Sequence, residues 1–427
     1  MQEPQLLNKP VKNLARQSAA DSNLEGYMDQ DLNVRRRQVL LGSAAATAAV
    51  MAAGSSSALA QAAKAKALPK YAEWKYIDSL IIHSSNTMET QRAAFGTSVI
   101  TPTDILFVRN NLTPPDESIT YDPDAWELSL QGVNSPRKIS VGEMKRIGVE
   151  TVASVLQCSG NGRGFFKHKT SGSQWKVGAS GCVIWSGIPV AMLVKEMGGV
   201  AGGMKFMTGT GGEKIPAGVD PKTVMVERSV PLKALETAIL AWEINGEPLP
   251  LAHGGPLRLV IPGYYGVNNV KYLSQLGFTE KETTANIQTS GYRIRDIGKK
   301  GEASQPSMWE MNVKSWINHP GSDGKSVGAG MVQVNGVAFA GVNPVTRVEV
   351  SINGGKDWQE AKFVGPDLGP YAWRQFVLPV KLGSGSYNLV SRATDAKGNT
   401  QPAERLENHR GYGHNGWQDH GIQLTVA

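Results

Sequence analysis

The densest group of residues able to do chemistry is Val155–Phe166, VLQCSGNGRGFF. An apolar run delivers Cys158 into a glycine-rich loop of small residues that expose backbone N–H groups, and Arg163 follows in the same loop. A thiolate is a soft, electron-rich ligand for a transition metal. An arginine beside it gives a planar, permanently charged grip on an oxyanion. Composition alone leaves three readings of Cys158 open: a disulfide to Cys182, an inert buried thiol, or a functional thiol. Taken singly, His253 reads as a turn histidine and Lys271 as a solvated surface lysine. Arg410 reads equally as a structural ion-pair partner or a functional cation. The chain has 2 cysteines, too few for a disulfide framework, and lacks the C-x-x-C-H of covalent haem. Four-thiolate iron–sulfur clusters are excluded on the same count.

These residues need elements to position them. The stretch before Cys158 reads as a strand. Ser229–Trp242, SVPLKALETAILAW, has apolar residues at helical spacing after a serine cap and an early proline, and predicts a short helix. Asn245-Gly246 predicts a turn between strands, and Leu257–Pro262 a buried strand. From about Ser307 the texture changes to short alternating strands with Gly, Asn and Pro turns: Val345–Asn353, Trp373–Pro379 and Ser386–Thr394. That spacing predicts an immunoglobulin-like sandwich. The expected fold class is therefore α+β, a mixed domain over residues 61–305 followed by an all-β domain over residues 306–427. With 48 Gly and 23 Pro, a turn-rich chain is expected.

The first 60 residues read as a separate export segment. Arg36 and Arg37 precede Val39-Leu40, an Ala-rich run, and an Ala58-Leu59-Ala60 cleavage box, the twin-arginine pattern; an ordinary secretory signal is the alternative. The expected location is the periplasm. The apolar run is short and ends in a cleavable box, so no span is expected in the mature form. The formal net charge is +7, with cations scattered and no basic stripe interleaved with aromatics, which argues against nucleic-acid binding. A mildly basic surface suits an anionic substrate or an acidic partner.

Five segments, in order, resemble the sulfite oxidase family of molybdopterin enzymes. Cys158-Ser159-Gly160-Asn161 resembles its C-[AS]-G-N signature, and Phe107-Val108-Arg109-Asn110 its F-x-R-N segment. Trp175–Ala179 resembles W-x-x-G-A, and His253–Arg258 resembles H-G-x-P-[VL]-R. Pro262-Gly263 with Val270–Leu273 resembles P-G…V-K-W-L. The resemblance implies a Mo-pyranopterin cofactor with Cys158 as protein ligand to the metal. It implies that Asn110, His253, Arg258 and Lys271 hold the cofactor and its phosphate. Arg109, Arg163, Trp175, Tyr292 and Arg410 would line the substrate pocket. It further implies oxygen transfer from water to a reduced sulfur atom, in the manner of a bacterial sulfane dehydrogenase or alternatively a sulfite dehydrogenase. Electrons would pass to a separate c-type cytochrome, with no haem in this chain. The substrate sulfur could ride on a carrier protein, and a homodimer or a heterotetramer with the cytochrome is expected. Two departures stand out. Asn111 replaces the family's usual His, and Gly162 replaces an arginine, with Gly164 beyond Arg163. Glycines there predict a roomier pocket, which favours a sulfur borne on a larger molecule over free sulfite.

Overall fold

The strand Glu150–Gln157 pairs antiparallel along its whole length with Ser180–Pro189, with Val155 opposite Cys182. Its buried second half, Ser154–Gln157, carries the chain into the interior and leaves Cys158 at the strand's end. These coordinates come from a computed structural model that describes residues 68–427. The export segment expected over the first 60 residues lies outside the described residues.

Two five-stranded sheets build most of the first domain, and a three-stranded sheet of Leu80–Ser84, Thr87–Thr90 and Val108–Arg109 brings in Arg109. One of the larger two runs Glu247–Pro248, Ile239–Ile244, Ser180–Pro189, Glu150–Gln157, with Arg258–Val260 paired to Ile239–Ile244. The other runs Arg137–Ser140, Glu127–Gln131, Leu273–Thr279, Phe206–Gly211, Glu227–Pro231. One core joins them, drawing Leu240, Trp242 and Leu259 from the first and Leu128, Leu130 and Leu276 from the second. Helices are few and short. Val141–Ile147 starts on a capping box, in which Ser140 and Glu143 each satisfy the other's backbone N–H.

The second domain is a sandwich of two four-stranded sheets. Alternation along Gly330–Phe339 and Arg374–Leu382 turns Val334, Phe376 and Leu378 inward against Val348, Leu389 and Leu424 of the opposing sheet. The fold is thus the expected α+β, a mixed domain followed by an all-β immunoglobulin-like sandwich. Trp316, Phe339, Trp373 and Tyr412 pack with Val155, Cys182 and Tyr265 in a cluster that fuses the two domains directly behind the Cys158 strand.

Local sequence reading succeeds at Asn245-Gly246, where both residues have positive φ between two paired strands. The helix expected over Ser229–Trp242 is corrected. Residues Glu227–Pro231 and Ile239–Ile244 are strands, and only Leu232–Glu236 winds, as a short 3₁₀ turn. The helical spacing of apolar residues was met by two sheet faces instead. Ile239, Leu240 and Ala241 are each buried in a strand with neighbours on both edges, and such tertiary pairing outweighs weak intrinsic helix preference.

Candidate functional site

The loop after the strand is laced from several sides. Cys158 donates its N–H to Ala179 O at 2.9 Å, and Asn161 donates its own to Cys158 O at 2.9 Å. The Asn161 amide then bridges Gln157 Oε1 and Val177 O at 3.1 Å each and accepts from Ala179 N at 3.1 Å. Glu89, fully buried, accepts from the N–H groups of Lys176 and Gly178 at 2.7 and 2.9 Å, fixing the neighbouring segment. The second domain holds the other side: Gly413 N donates to Ser159 O at 2.9 Å, and Lys314 Nζ donates to Asn161 O at 3.2 Å. Cys158 and Cys182 are both free, so their disulfide is excluded in this structure. Burial pushes the Cys182 thiol up to about 12, which leaves it inert.

Cys158 opens on a cavity that also takes Arg109, Asn110, His253, Arg258, Lys271 and Tyr292 into its walls. Seven of the ten site residues expected from sequence therefore converge. Lys271 Nζ donates to Asn110 Oδ1 at 2.7 Å and Ala252 O at 2.6 Å. Arg258 donates to His253 O at 2.8 Å and Asn269 O at 3.2 Å. Burial, then the charge of Arg258, pushes Lys271 well below the usual lysine range. Burial likewise holds His253 neutral and brings Arg258 down to about 10. Glu213 shares this wall; burial raises its carboxyl to about 7 against the pull of Lys271.

A wall of buried cations whose protonated forms are disfavoured is a wall built for an anion. Three buried polar atoms on residues of this wall, His253 Nε2, Asn110 Nδ2 and Ser159 Oγ, have no hydrogen-bond partner within the protein, and such groups ordinarily find one. The residues therefore fit a group that brings a soft metal to the thiol and an anion to the basic side chains.

Arg163, Trp175 and Arg410 are placed elsewhere. Arg163 is buried beside the cavity, donating to Arg410 O at 2.8 Å and Ser173 O at 3.3 Å, with its guanidinium 5.4 Å from the Tyr412 ring. Trp175 is fully buried behind Cys158, edge-on to His83 and Phe107. Arg410 lines an outer recess rather than the cavity itself and donates to Ser171 Oγ at 3.0 Å. The roomier pocket expected from the glycines is also corrected. A Cβ on Gly162, whose φ is +101°, would lie 2.4 Å from His414 Cγ, and one on Gly164 would lie 2.8 Å from Gln174 O. Neighbouring groups, not ligand space, fill those positions. Sequence reasoning missed Glu213, Glu89 and Tyr412. Tyr412 stacks on Tyr292 with centroids 5.0 Å apart.

Comparison with known proteins finds the same pieces. Residues 114–287 match the family described as the oxidoreductase molybdopterin binding domain, and residues 305–425 the Mo-co oxidoreductase dimerisation domain. Mitochondrial sulfite oxidase of Homo sapiens is 31% identical over 350 residues, covering 77% of this chain and 62% of that protein. The chain thus spans less than two thirds of that relative's length. Sulfite oxidase of Arabidopsis thaliana is 27% identical over 369 residues, 79% of this chain and 91% of that one. Among solved structures, the sulfane dehydrogenase SoxCD of Paracoccus pantotrophus matches with a TM-score of 0.67 and 26% identity, covering 89% of this chain and 96% of that one.

Proposed function

The chain belongs to the sulfite oxidase family, and from that premise we propose that it is a molybdenum oxidoreductase that oxidises sulfane sulfur or a related reduced sulfur compound. The observation that carries the reading is a single cavity whose walls take in Cys158 together with Lys271, Arg258, His253 and Asn110. When bound, the cofactor supplies two-electron oxidation of sulfur with oxygen drawn from water. The protein's part is positioning and electrostatics. Cys158 holds the metal as a thiolate. Lys271 and Arg258 neutralise the anionic tail, and the free Nε2 of His253 and amide of Asn110 hydrogen-bond it. Arg109, anchored at 2.6 Å on Asn111 Oδ1, presents its charge to the substrate's oxyanion. Tyr292, whose phenol burial keeps protonated, serves as a hydrogen-bond donor beside it. Arg163 acts from behind, fixing the loop.

The likeness to a sulfane dehydrogenase over nearly that chain's whole length supports sulfane sulfur as substrate. A second reading, sulfite dehydrogenase, is favoured by Arg109 in the inner cavity and by the sulfite oxidase relatives. Electrons leave to a separate c-type cytochrome, in the periplasm after twin-arginine export. The dimerisation-family match supports a homodimer or a heterotetramer with the cytochrome. Steady-state turnover of the metal-loaded chain with a c-type cytochrome, sulfite against a persulfidated carrier, tests this. A kcat/KM for sulfite equal to or above that for the persulfide replaces the first reading with the second. No molybdenum after expression in a cofactor-competent host removes both.

A further inference from the structure

The inner cavity shares part of its wall with a wider outer funnel: Arg109, Asn111 and Tyr292 line both. Its walls carry Arg109, Arg295, Lys299, Lys300, Arg410 and the imidazole of His409, and among the described residues no Asp or Glu lines it. Asp296 and Glu302, in the same turn, lie outside the lining.

The turn that supplies three of these cations is built rather than loose. Arg295 Nε donates to Lys299 O at 3.0 Å, and its Nη1 to Ser290 O at 3.2 Å. Gly298 N donates to His409 Nδ1 at 3.1 Å, while His409 N donates to Arg295 O at 2.9 Å, so the turn is pinned to a segment of the second domain. Gly301 packs so tightly on Ser290 that an added Cβ would lie 1.9 Å from its carbonyl oxygen. A cleft of one sign with low-dielectric walls focuses its field on whatever anion enters.

We propose that Arg295, Lys299 and Lys300, with His409 and Arg410, form a second anion subsite that holds the distal, negatively charged part of an extended substrate whose sulfur reaches the Cys158 cavity. The proposal rests on the functional reading above and adds where substrate selectivity resides. A compact oxyanion meets Arg109, with Tyr292 beside it, in the inner cavity. The remaining four permanent cations stand in the outer funnel, and only a ligand carrying charge away from its reacting sulfur engages both.

The test uses the full, metal-loaded chain and its Lys299→Glu/Lys300→Glu variant, at two exposed positions. Glutathione persulfide is the extended anionic probe, sulfite the compact one, and glutathione sulfonate an inert analogue for calorimetric binding. At about 0.15 M salt, where exposed charges beyond roughly 8 Å are screened, the variant should bind glutathione sulfonate about 10-fold more weakly. Its kcat/KM should fall by a similar factor on the persulfide and by less than about 3-fold on sulfite. Equal losses on both substrates, or unchanged sulfonate affinity, overturn the subsite. If sulfonate binding weakens as expected while the wild type turns over neither sulfur compound, the subsite stands and the functional reading falls.

Discussion

Gly162→Ala should damage the protein without touching the cavity, because the space beside Gly162 belongs to His414. Two costs are separable. The residue sits at φ +101°, ψ 0°, a left-handed conformation that costs an L-residue about 1–2 kcal/mol. The new methyl would also lie 2.4–2.7 Å from three atoms of the His414 side chain. That ring is buried and tied to Asp419 Oδ2 at 2.8 Å, so it cannot step aside freely, and overpacking of this kind costs about 1–3 kcal/mol. The expected total is about 2–5 kcal/mol by equilibrium urea unfolding. A double-mutant cycle isolates the second part: in a His414→Gly background, which removes the ring and also the Cβ 2.6 Å away, the clash vanishes, and the coupling should be about 1–3 kcal/mol. Gly162→Arg, which restores the family's usual residue, should be worse still. A coupling under about 0.5 kcal/mol, or Gly162→Ala as stable as the parent, would refute the steric account and return Gly162 to the substrate pocket.

Cys158→Ser should abolish turnover and molybdenum content by elemental analysis while the melting temperature changes little; Cys182→Ser should be mild in both. Arg163→Ala should lower melting temperature together with kcat/KM, since it removes charge-assisted hydrogen bonds to two carbonyls worth about 1.5–3 kcal/mol each; loss of kcat/KM alone would place Arg163 on the substrate after all. Lys314 is buried, and desolvation lowers its amine from 10.5 to about 7. The unfolded chain therefore binds more protons between those values, so stability should rise from about pH 7 to pH 10. Lys314→Met should flatten that rise, and an unchanged slope in thermal scans across the range would contradict the assignment.

The inner cavity was legible in the sequence because its chemistry is carried by distinctive residue types in short fixed strings. Cys158, Arg109-Asn110, His253 to Arg258, and Lys271 are each announced by neighbours that shape a loop or a turn. What stayed hidden depends on three-dimensional filling. Glu213 is a single acid in a glycine-rich stretch, and nothing local marks it as the carboxyl beside Lys271. Gly162 looked like added space because sequence shows the missing side chain but not His414, more than two hundred positions away, that occupies the gap. Trp175 is in a recognisable string, yet its side chain faces the core behind Cys158 rather than the ligand. The helix expected over Ser229–Trp242 failed for a related reason: apolar spacing of three and four residues is also produced by two buried strands joined at Pro231 by a tight turn.

The hydrogen bonds that set the Cys158 loop also impose an order in time. Lys314 reaches Asn161 O from 153 positions later in the chain, and the carbonyl that receives Arg163 Nε lies 247 positions later. A nascent polypeptide carries Cys158, His253 and Lys271 long before it can shape the loop between them. Cofactor capture thus becomes a test of completeness: a chain stopped by a nonsense codon before residue 413 should present the ligands yet retain no molybdenum through gel filtration. Metal retained by such a fragment would show instead that loading precedes closure of the second domain over the loop.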